Sequence, residues 1–278
     1  MAQGNLRNPL LRGLKLALDW SWRHLGEAMV QSGSRFLGIC ALFYRLLLST
    51  FSGTTGLRLV LKETANQIYY TAIQGVLVLI FSALMLGLVV IVHATQQLVK
   101  VQGEEFVGWL LVTIVVREVG PVWAAFFVLL RSGSAITVKV GTLAVTREID
   151  ALKMMGLDPY RYLGVPRLWG LTFGLLSLYV LCIFAAVMGG FIFAQMFAEV
   201  FWGKFWVSFV NALQWLDLAV GFFKCASFGI IIATVSFYYG LLAQKHLGEV
   251  AIYTSKGGVT ALVLLVTMDL ILTTAYYL

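Results

Sequence analysis

An arginine and a glutamate, Arg117 and Glu118, lie side by side between two apolar runs, 106–116 and 122–130, and are followed by Gly120 and Pro121. Ionisable side chains are costly in hydrocarbon, so they generally face a bundle interior, a cavity or a partner. A glycine–proline pair frees backbone polar groups at the same depth, and these also need protein or water. The pattern predicts a helix break at Gly120 and Pro121, and it is more typical of a transport path than of a simple membrane anchor.

The composition identifies the class of protein that must position these charges. The chain has 278 residues, of which 60% are hydrophobic and 12% charged, whereas a soluble domain is about half apolar and a quarter charged. Residues 64–99 and 168–198 contain no Lys, Arg, Asp or Glu, and about 20 such residues suffice to span a bilayer. The short alternating segments of a β-barrel are missing. The sequence therefore predicts an all-α integral membrane protein.

Several classes of function are disfavoured by the chemistry of the side chains. The net charge of +7 comes from basic residues that flank apolar runs, so it indicates orientation and lipid headgroups, not nucleic acid. No metal site or bound cofactor is expected from the isolated cysteines and histidines, Cys40, Cys182, Cys225, His24, His93 and His246. No phosphate-binding Gly-x-x-x-x-Gly-Lys-Ser/Thr loop occurs, so the chain is not expected to hydrolyse ATP. We also expect no cleavable signal peptide.

The first part of the chain, residues 1–67, has the character of an interfacial region. Basic residues alternate with apolar ones, Trp20 and Trp22 lie among them, and the charge-free stretch between Arg35 and Arg45 is too short to span. This combination predicts an amphipathic helix in the cytoplasmic membrane interface.

About five transmembrane helices are predicted after it, within a permease-like region at 68–278. The expected spans are 68–92, 106 to beyond 131, 168–190, 218–243 and 258–277. The basic loop after the second span marks the cytoplasmic side, which puts the N-terminus in the cytoplasm and the C-terminus in the periplasm. The aromatic-rich segment 191–215 predicts an interfacial stretch on the periplasmic side.

Small residues recur at four-residue spacing in the second span, at Gly133, Thr137 and Gly141. This period lets two helix backbones approach closely. Both packing within one subunit and packing between subunits are compatible with it.

A short charged helix is predicted at about 146–155, in the cytoplasmic loop. Thr146 is expected to cap it, and Gly156 and Pro159 to end it. The acidic residues Glu148 and Asp150 lie in its first turn and Lys153 in its last, where each charge interacts favourably with the helix dipole. Val145, Ile149 and Leu152 form one apolar stripe along the helix. Such a helix can dock into a partner protein or serve as a connector.

A dense, ordered set of motifs over about fifty residues closely resembles the MlaE/YrbE family, the permease subunits of ABC transporters that work with MCE proteins. The motifs are Arg117-Glu118-Val119-Gly120-Pro121, Arg131-Ser132-Gly133-Ser134-Ala135, Gly141-Thr142, Val145-Thr146-Arg147-Glu148-Ile149-Asp150-Ala151-Leu152, Met155-Gly156-Leu157-Asp158-Pro159 and Val165-Pro166-Arg167. Lys224-Cys225-Ala226-Ser227-Phe228-Gly229 is similar to a further family stretch, with Cys225 replacing a serine, and Asp269 matches an acidic residue of the last span.

The resemblance implies a homodimer in the bacterial inner membrane, with lipid in a cavity between the two copies. It implies that Arg117, Glu118 and Lys224 lie near this lipid cavity. It also implies a cytoplasmic ABC ATPase, which uses ATP and binds the helix of Thr146, Glu148, Ile149, Asp150 and Leu152, and a periplasmic MCE-domain protein. Phospholipid is the expected substrate class.

Competing interpretations of the charges and of the function stay open at this point. Glu118 can simply pair with Arg117 or Lys224 to make its burial tolerable, and Asp269 is expected to be a structural acceptor for a neighbouring helix. The alternatives to an ABC lipid permease are an ion- or proton-coupled secondary transporter and a membrane scaffold for an MCE assembly that transports nothing.

Overall fold

The computed structural model describes residues 33–50, 57–99, 107–197, 202–244 and 246–278, and these residues form helices and short connections without a strand. The prediction of an all-α integral membrane protein is confirmed. The predictions made for Trp20, Trp22 and His24, and for part of the interfacial segment at 191–215, fall on residues outside these ranges.

The chain divides into two compact units, Met1–Tyr44 and Arg45–Leu278. The described part of the first unit, residues 33–44, is helical. The second unit contains every long apolar helix of the described chain. The domain boundary predicted at residue 67 stays a prediction.

Nine helical elements follow one another along the described residues. They are α1 (33–50), α2 (Leu57–Ala72), α3 (Val76–Val99), α4 (Val107–Leu111 continuing to Ser134–Val145), α5 (Glu148–Met154), α6 (Tyr160–Gly164 continuing into Val165–Phe197), α7 (Trp202–Ala212), α8 (Trp215–Leu242) and α9 (Leu247–Tyr277).

Five of these helices are long and apolar enough to cross a membrane, at Val76–Ala94, Gly108–Val145, Tyr160–Ile192, Trp215–Leu242 and Leu247–Tyr277. Their number agrees with the prediction, but several helix ends differ. The first span was expected to begin at residue 68, but the preceding helix α2 continues to Ala72 and the spanning helix α3 begins at Val76. The last spanning helix, α9, begins at Leu247, eleven residues before the expected start at 258. The length of an apolar run is set by the thickness of the hydrocarbon. A helix can extend beyond that run into polar sequence, because its backbone groups still form hydrogen bonds there.

Helix α6 lies at the centre of the second unit, where it packs against α2, α3 and α8. Glycines allow the close approach. A methyl group added at Gly170 would lie 2.6 Å from the Cβ atom of Gln67, and one added at Gly189 would lie 2.6 Å from the carbonyl oxygen of Leu84. Small residues at helix crossings favour association in lipid because they bring backbones into van der Waals contact.

The second span, α4, contains two π-helical stretches, Val112–Val119 and Leu129–Gly133. The backbone stays helical where a break was expected, with φ −72° and ψ −36° at Val119 and φ −59° and ψ −53° at Gly120. The irregularity is therefore a change of hydrogen-bond register and not an interruption of the helix. Pro121 lies in the first turn of the α-helical segment Gly120–Val128, a position that tolerates proline.

Candidate functional site

The side chain of Lys224 lies at the centre of an ionic cluster inside the bundle and is 1% exposed. Its ammonium nitrogen donates to Glu118 Oε2 at 2.8 Å and to Thr273 Oγ1 at 2.7 Å. Asp269 Oδ1 lies 3.2 Å away. The hydroxyl of Thr273 donates in turn to Glu118 at 3.0 Å. Helices α4, α8 and α9 thus meet at one lysine, whose charge is balanced by carboxylates from two of them.

The π-helical register of α4 explains why side chains from other helices reach its backbone here. Pro121 has no N–H to offer, and the N–H of Gly120 bonds to the carbonyl of Val115, so the carbonyls of Val116 and Arg117 lack their usual helical donors. The hydroxyl of Tyr179 donates to Val116 at 2.9 Å, and Lys224 Nζ donates to the Arg117 carbonyl at 3.3 Å.

A second ion pair lies beside the first. Arg117 Nε and Nη2 lie 2.8 and 3.1 Å from the two carboxylate oxygens of Asp217, whose side chain is fully buried. The Asp217 carboxylate also accepts a bond from the backbone N–H of Gln214 at 3.1 Å, completing a capping box at the start of α8. Tyr276 of α9 donates to the same carboxylate at 3.2 Å. The pair therefore ties the start of α8 to both α4 and α9.

The cluster has an open side and a closed side. Asp217 and Lys224 are buried, whereas the side chains of Glu118 and Asp269 are 30% and 24% exposed. With all five side chains ionised, two cations, Arg117 and Lys224, face three carboxylates, which leaves one unit of negative charge. Because the carboxylates that carry this excess are the exposed ones, the site can still attract a positively charged or hydrogen-bond-donating group.

The site lies deep within the apolar part of the helices. Lys224 is nine residues from the start of α8 and Asp269 eight residues from the end of α9, which corresponds to about 12–14 Å along each helix axis. Because α8 and α9, with 28 and 31 residues, are longer than the roughly 30 Å hydrocarbon thickness of a bilayer, the cluster lies inside the membrane-spanning part of these helices, nearer the start of α8 and the end of α9.

The sequence identified some members of this cluster and missed others. Glu118 and Lys224 lie together and form an ion pair, which is one of the alternatives considered for Glu118. Asp269 Oδ1 lies 3.2 Å from the ammonium group of Lys224 on a neighbouring helix, and its expected role as a structural acceptor stays a prediction. Asp217, Thr273, Tyr276 and Tyr179 were not recognised. Asp217 is the third residue of a helix, where an acidic side chain is ordinary for a capping box, so no local signal indicated its partner 100 residues away.

The small residues of α4 face other helices of the same chain. A methyl group added at Gly133 would lie 3.0 Å from Ile232 of α8, and one at Gly141 would lie 3.0 Å from Val250 of α9. The hydroxyl of Thr137 donates to the carbonyl of Ser236 at 3.1 Å. These contacts favour packing within one subunit over packing between subunits.

The predicted cytoplasmic helix is present as α5, with different details at its start. Its N-cap residue is Arg147, with φ 59°, and no side chain caps the helix; Thr146 instead donates to the carbonyl of Thr142 at 3.0 Å. The prediction of Thr146 as the N-cap is therefore wrong, because its hydroxyl bonds back into α4. Ile149 is 7% exposed and so packs into its own chain.

The charges of α5 are on its exposed side. Lys153 Nζ lies 2.9 Å from Asp150 Oδ1. The hydrogen bond that Lys153 donates and its positive charge lower the pKa of the Asp150 carboxyl, and the same hydrogen bond, accepted by the Asp150 carboxylate, raises the pKa of Lys153. Next to them are two well exposed apolar side chains, Met154 at 84% and Met155 at 66%. A cleft of about 480 Å³ lies between α5, α6 and α8.

Within the described ranges, no group of three or more His, Cys, Asp or Glu side chains is arranged to hold a metal ion.

Comparisons with known proteins agree with the resemblance of the motifs. The sequence model of the Permease MlaE family matches residues 64–275. An intermembrane phospholipid transport system permease protein, MlaE of Haemophilus influenzae, is 27% identical over 209 residues, covering 75% of this chain and 80% of the relative. A probable ABC transporter permease protein of Synechocystis is 28% identical over 201 residues, covering 72% and 76%. One from Rickettsia prowazekii is 24% identical over 241 residues, covering 87% and 92%.

The matched region contains all five apolar helices apart from the last two residues of α9, and it contains the whole ionic cluster except Tyr276. The chain is a multi-pass membrane protein that belongs to the MlaE permease family.

Proposed function

We propose that this chain is the permease half of an ABC-type transporter that moves phospholipid between the bacterial inner membrane and an MCE-domain carrier protein. The name of the Haemophilus relative, an intermembrane phospholipid transport permease, supports the substrate class. The chain lacks a phosphate-binding loop of its own, so ATP would be used by a partner ATPase and no cofactor would be bound directly.

The observation that carries the proposal is the ionic cluster around Lys224. A phospholipid needs apolar walls for its tails and a few polar groups for its headgroup. The cluster supplies those groups inside the membrane-spanning part of the helices, and the partly exposed carboxylates of Glu118 and Asp269 would bind hydrogen-bond donors of the headgroup. Exposed apolar side chains on the neighbouring part of α9, including Leu270 at 69% and Val266 at 57%, would line the path of the tails.

A homodimer would complete the cavity. Only 11% of the most apolar window of α9 is buried within the chain, against 50% or more for α4, α6 and α8. A second copy facing α9 would enclose the space between two ionic clusters. In this arrangement each cluster would present its exposed carboxylates to the shared cavity.

The basic residues near α5 support a membrane orientation. The segment from Lys139 to Arg167 contains five basic side chains, so by the positive-inside rule it would lie in the cytoplasm. The C-terminus and α7 would then be periplasmic, where an MCE-domain protein would bind.

Coupling to ATP hydrolysis would run from α5 to the cluster through α4. Only two residues separate the last residue of α4, Val145, from the first of α5, Glu148, so a displacement of α5 by the ATPase would be transmitted to α4. The π-helical stretches are positions where a helix can change register at modest cost. A shift at Val112–Val119 would change the spacing between Glu118 and Lys224 and so open or close the headgroup site.

Lipid transfer between liposomes and the carrier, with all partners present, tests the role of the cluster. Glu118→Gln removes the carboxylate charge while keeping the hydrogen-bonding shape, and Asp158→Asn is a matched control on an exposed connection. We expect transfer to fall at least tenfold for Glu118→Gln and to be unchanged in the control. Undiminished transfer with Glu118→Gln would remove this residue from the mechanism.

An ATPase partner that binds but does not hydrolyse ATP separates the three functions considered. The lipid permease requires transfer to stop with this partner. Transport by the purified chain alone would establish the ion-coupled alternative, and an unchanged lipid flux with the inactive ATPase would refute ATP-driven transport.

Docking of the ATPase is tested on the exposed side of α5. Ile149 is unsuitable because its burial would make Ile149→Asp unfold the region. Met154→Asp changes an 84% exposed side chain, and Val207→Asp on α7, 61% exposed, is the control. We expect only Met154→Asp to abolish co-purification with the ATPase, and an intact complex would rule out this surface.

A further inference from the structure

A cavity separate from the ionic cluster lies where α2, α4 and α6 meet, at the end of the bundle that carries α5. Its volume is about 240 Å³, and its polar lining consists of Glu63, Gln67, Lys139, Tyr162 and Arg167. Helix α2 forms one wall of the cavity. It packs closely against α6 there, because Gly170 of α6 has no side chain and leaves room for the side chain of Gln67.

The side chain that makes this cavity unusual is Arg167. It is 6% exposed, and its one hydrogen bond goes from Nη1 to the carbonyl of Leu163 at 3.1 Å. The ring of Phe237 lies 5.9 Å from its guanidinium carbon. Among the residues that the structure describes, no carboxylate lies within 4.0 Å of it, and its charge is favoured only at longer range by Glu63, which lines the same cavity. A buried cation without a direct ion pair is expensive, so its presence next to a cavity indicates an anion that the cavity receives.

The charges of the cavity match a phosphodiester. Lys139 and Arg167 contribute two positive charges and Glu63 one negative charge, which leaves one unit of positive charge for a ligand. A phosphodiester carries one negative charge, and its oxygens accept bonds from guanidinium, ammonium and phenol groups. Tyr162 and Gln67 can donate further hydrogen bonds from the cavity wall.

The depth and size of the cavity favour a lipid headgroup over a free ion. Lys139 lies six residues before the end of α4 and Arg167 seven residues after the start of α6, about 9–10 Å from the helix ends, where lipid phosphates reside. The volume is below the roughly 300 Å³ at which sites for whole small molecules begin. A headgroup would therefore enter while the tails stay in the bilayer, beside the exposed side chain of Val138.

We propose that this cavity binds the phosphate of an anionic phospholipid from the leaflet on the α5 side of the membrane. The site is independent of the lipid path proposed above, since it shares no residue with the cluster around Lys224. Lipid bound here would hold α2, α4 and α6 together near the helix that leads into α5.

The proposal is tested with the full chain in nanodiscs and phosphatidylglycerol that carries a photoreactive diazirine on its headgroup. Cross-links are mapped by mass spectrometry, which separates this cavity from any other lipid site. We expect cross-links at Lys139, Tyr162 and Gln67, suppressed by unlabelled phosphatidylglycerol but not by diacylglycerol or by inorganic phosphate. Equal suppression by inorganic phosphate would overturn the lipid assignment, and cross-links absent from this cavity would overturn the site.

Two variants make the test specific. Lys139→Ala removes an exposed charge and should weaken labelling about fivefold, the effect of one basic residue at a membrane surface, whereas Lys256→Ala, an exposed lysine at similar depth on α9, should leave it unchanged. Arg167→Met should abolish labelling while the melting temperature stays equal or rises, because an unpaired buried charge is removed. Loss of folding together with labelling in Arg167→Met, with full labelling of Lys139→Ala, would identify Arg167 as structural and refute the site.

Discussion

Replacing Lys224 with methionine removes the cation at the centre of the ionic cluster while keeping a side chain of similar length. Its ammonium group has four oxygen neighbours between 2.7 and 3.3 Å. Removing one member of a buried ion pair costs about 3–5 kcal/mol, because the other charge is left without a partner. Glu118 and Asp269 are 30% and 24% exposed, so water or protonation offsets part of this cost. We expect a loss of about 3 kcal/mol in the free energy of unfolding.

The companion variant Glu118→Gln should cost less. Lys224 keeps Asp269 and Thr273 as partners, so the loss is that of one charged hydrogen bond, about 1.5–2 kcal/mol. In the double variant Lys224→Met/Glu118→Gln, both charges of the pair are removed, so neither is left without its partner. Its total loss should therefore be smaller than the sum of the single losses by about 1–3 kcal/mol, as found for residues in direct contact.

Unfolding in mixed detergent micelles, followed by tryptophan fluorescence, measures all three losses. Lys256→Met, an exposed lysine within α9, serves as the control and should change stability by no more than about 0.5 kcal/mol. Losses that add within about 0.5 kcal/mol, or a Lys224→Met variant as stable as the parent, would refute the reasoning that Lys224 and Glu118 form the central ion pair.

Three further predictions address other parts of the structure. Tyr179→Phe leaves a π-helical carbonyl of α4 without its donor and should lower the free energy of unfolding by about 1–3 kcal/mol, measured in the same micelles; an unchanged value would show that the carbonyl finds another donor. Gly189→Ala should lower the melting temperature in detergent because its new methyl group meets the backbone of α3, whereas Gly258→Ala, where no atom lies within 4 Å, should not; equal melting temperatures would disprove the close crossing. Lys153→Ala should raise the pKa of the Asp150 carboxyl, which Lys153 lowers, toward its ordinary value in an NMR titration. The pair's contribution is thus present above the unfolded pKa of Asp150 and is lost as the pH falls through the lowered one, and a pKa unaffected by Lys153→Ala would exclude the pairing.

Part of the candidate site could be predicted from the sequence. Arg117 and Glu118 stood out because charge is rare within apolar runs, and the motif at Lys224 pointed to the same family. The π-helical register before Pro121 was not predictable, because it depends on whether the carbonyls of Val116 and Arg117 find donors elsewhere. Those donors, Tyr179 and Lys224, lie on helices that are 60 or more residues away in the chain.

Helix α5 likewise has features that the sequence predicted and features that depend on tertiary packing. Its existence followed from local signals, namely acidic residues at its start and a glycine after its end. The orientation of Ile149 toward its own chain and the exposure of Met154 depend on how α5 lies against α6 and α8. The docking surface that we propose for the ATPase accordingly lies at the two exposed methionines and not at the apolar stripe predicted from the sequence.

By itself, the sequence determined that the chain is a multi-pass membrane protein and that its long apolar runs are helices. Hydrocarbon offers no partner to the backbone, so each apolar run must satisfy its own hydrogen bonds as a helix whatever its neighbours are. Only the tertiary structure decided that Lys224 meets Glu118 and Asp269, and that Arg117 meets Asp217. Those pairings depend on the rotation of each helix about its axis, which is set by packing against the others and is not encoded in any local stretch.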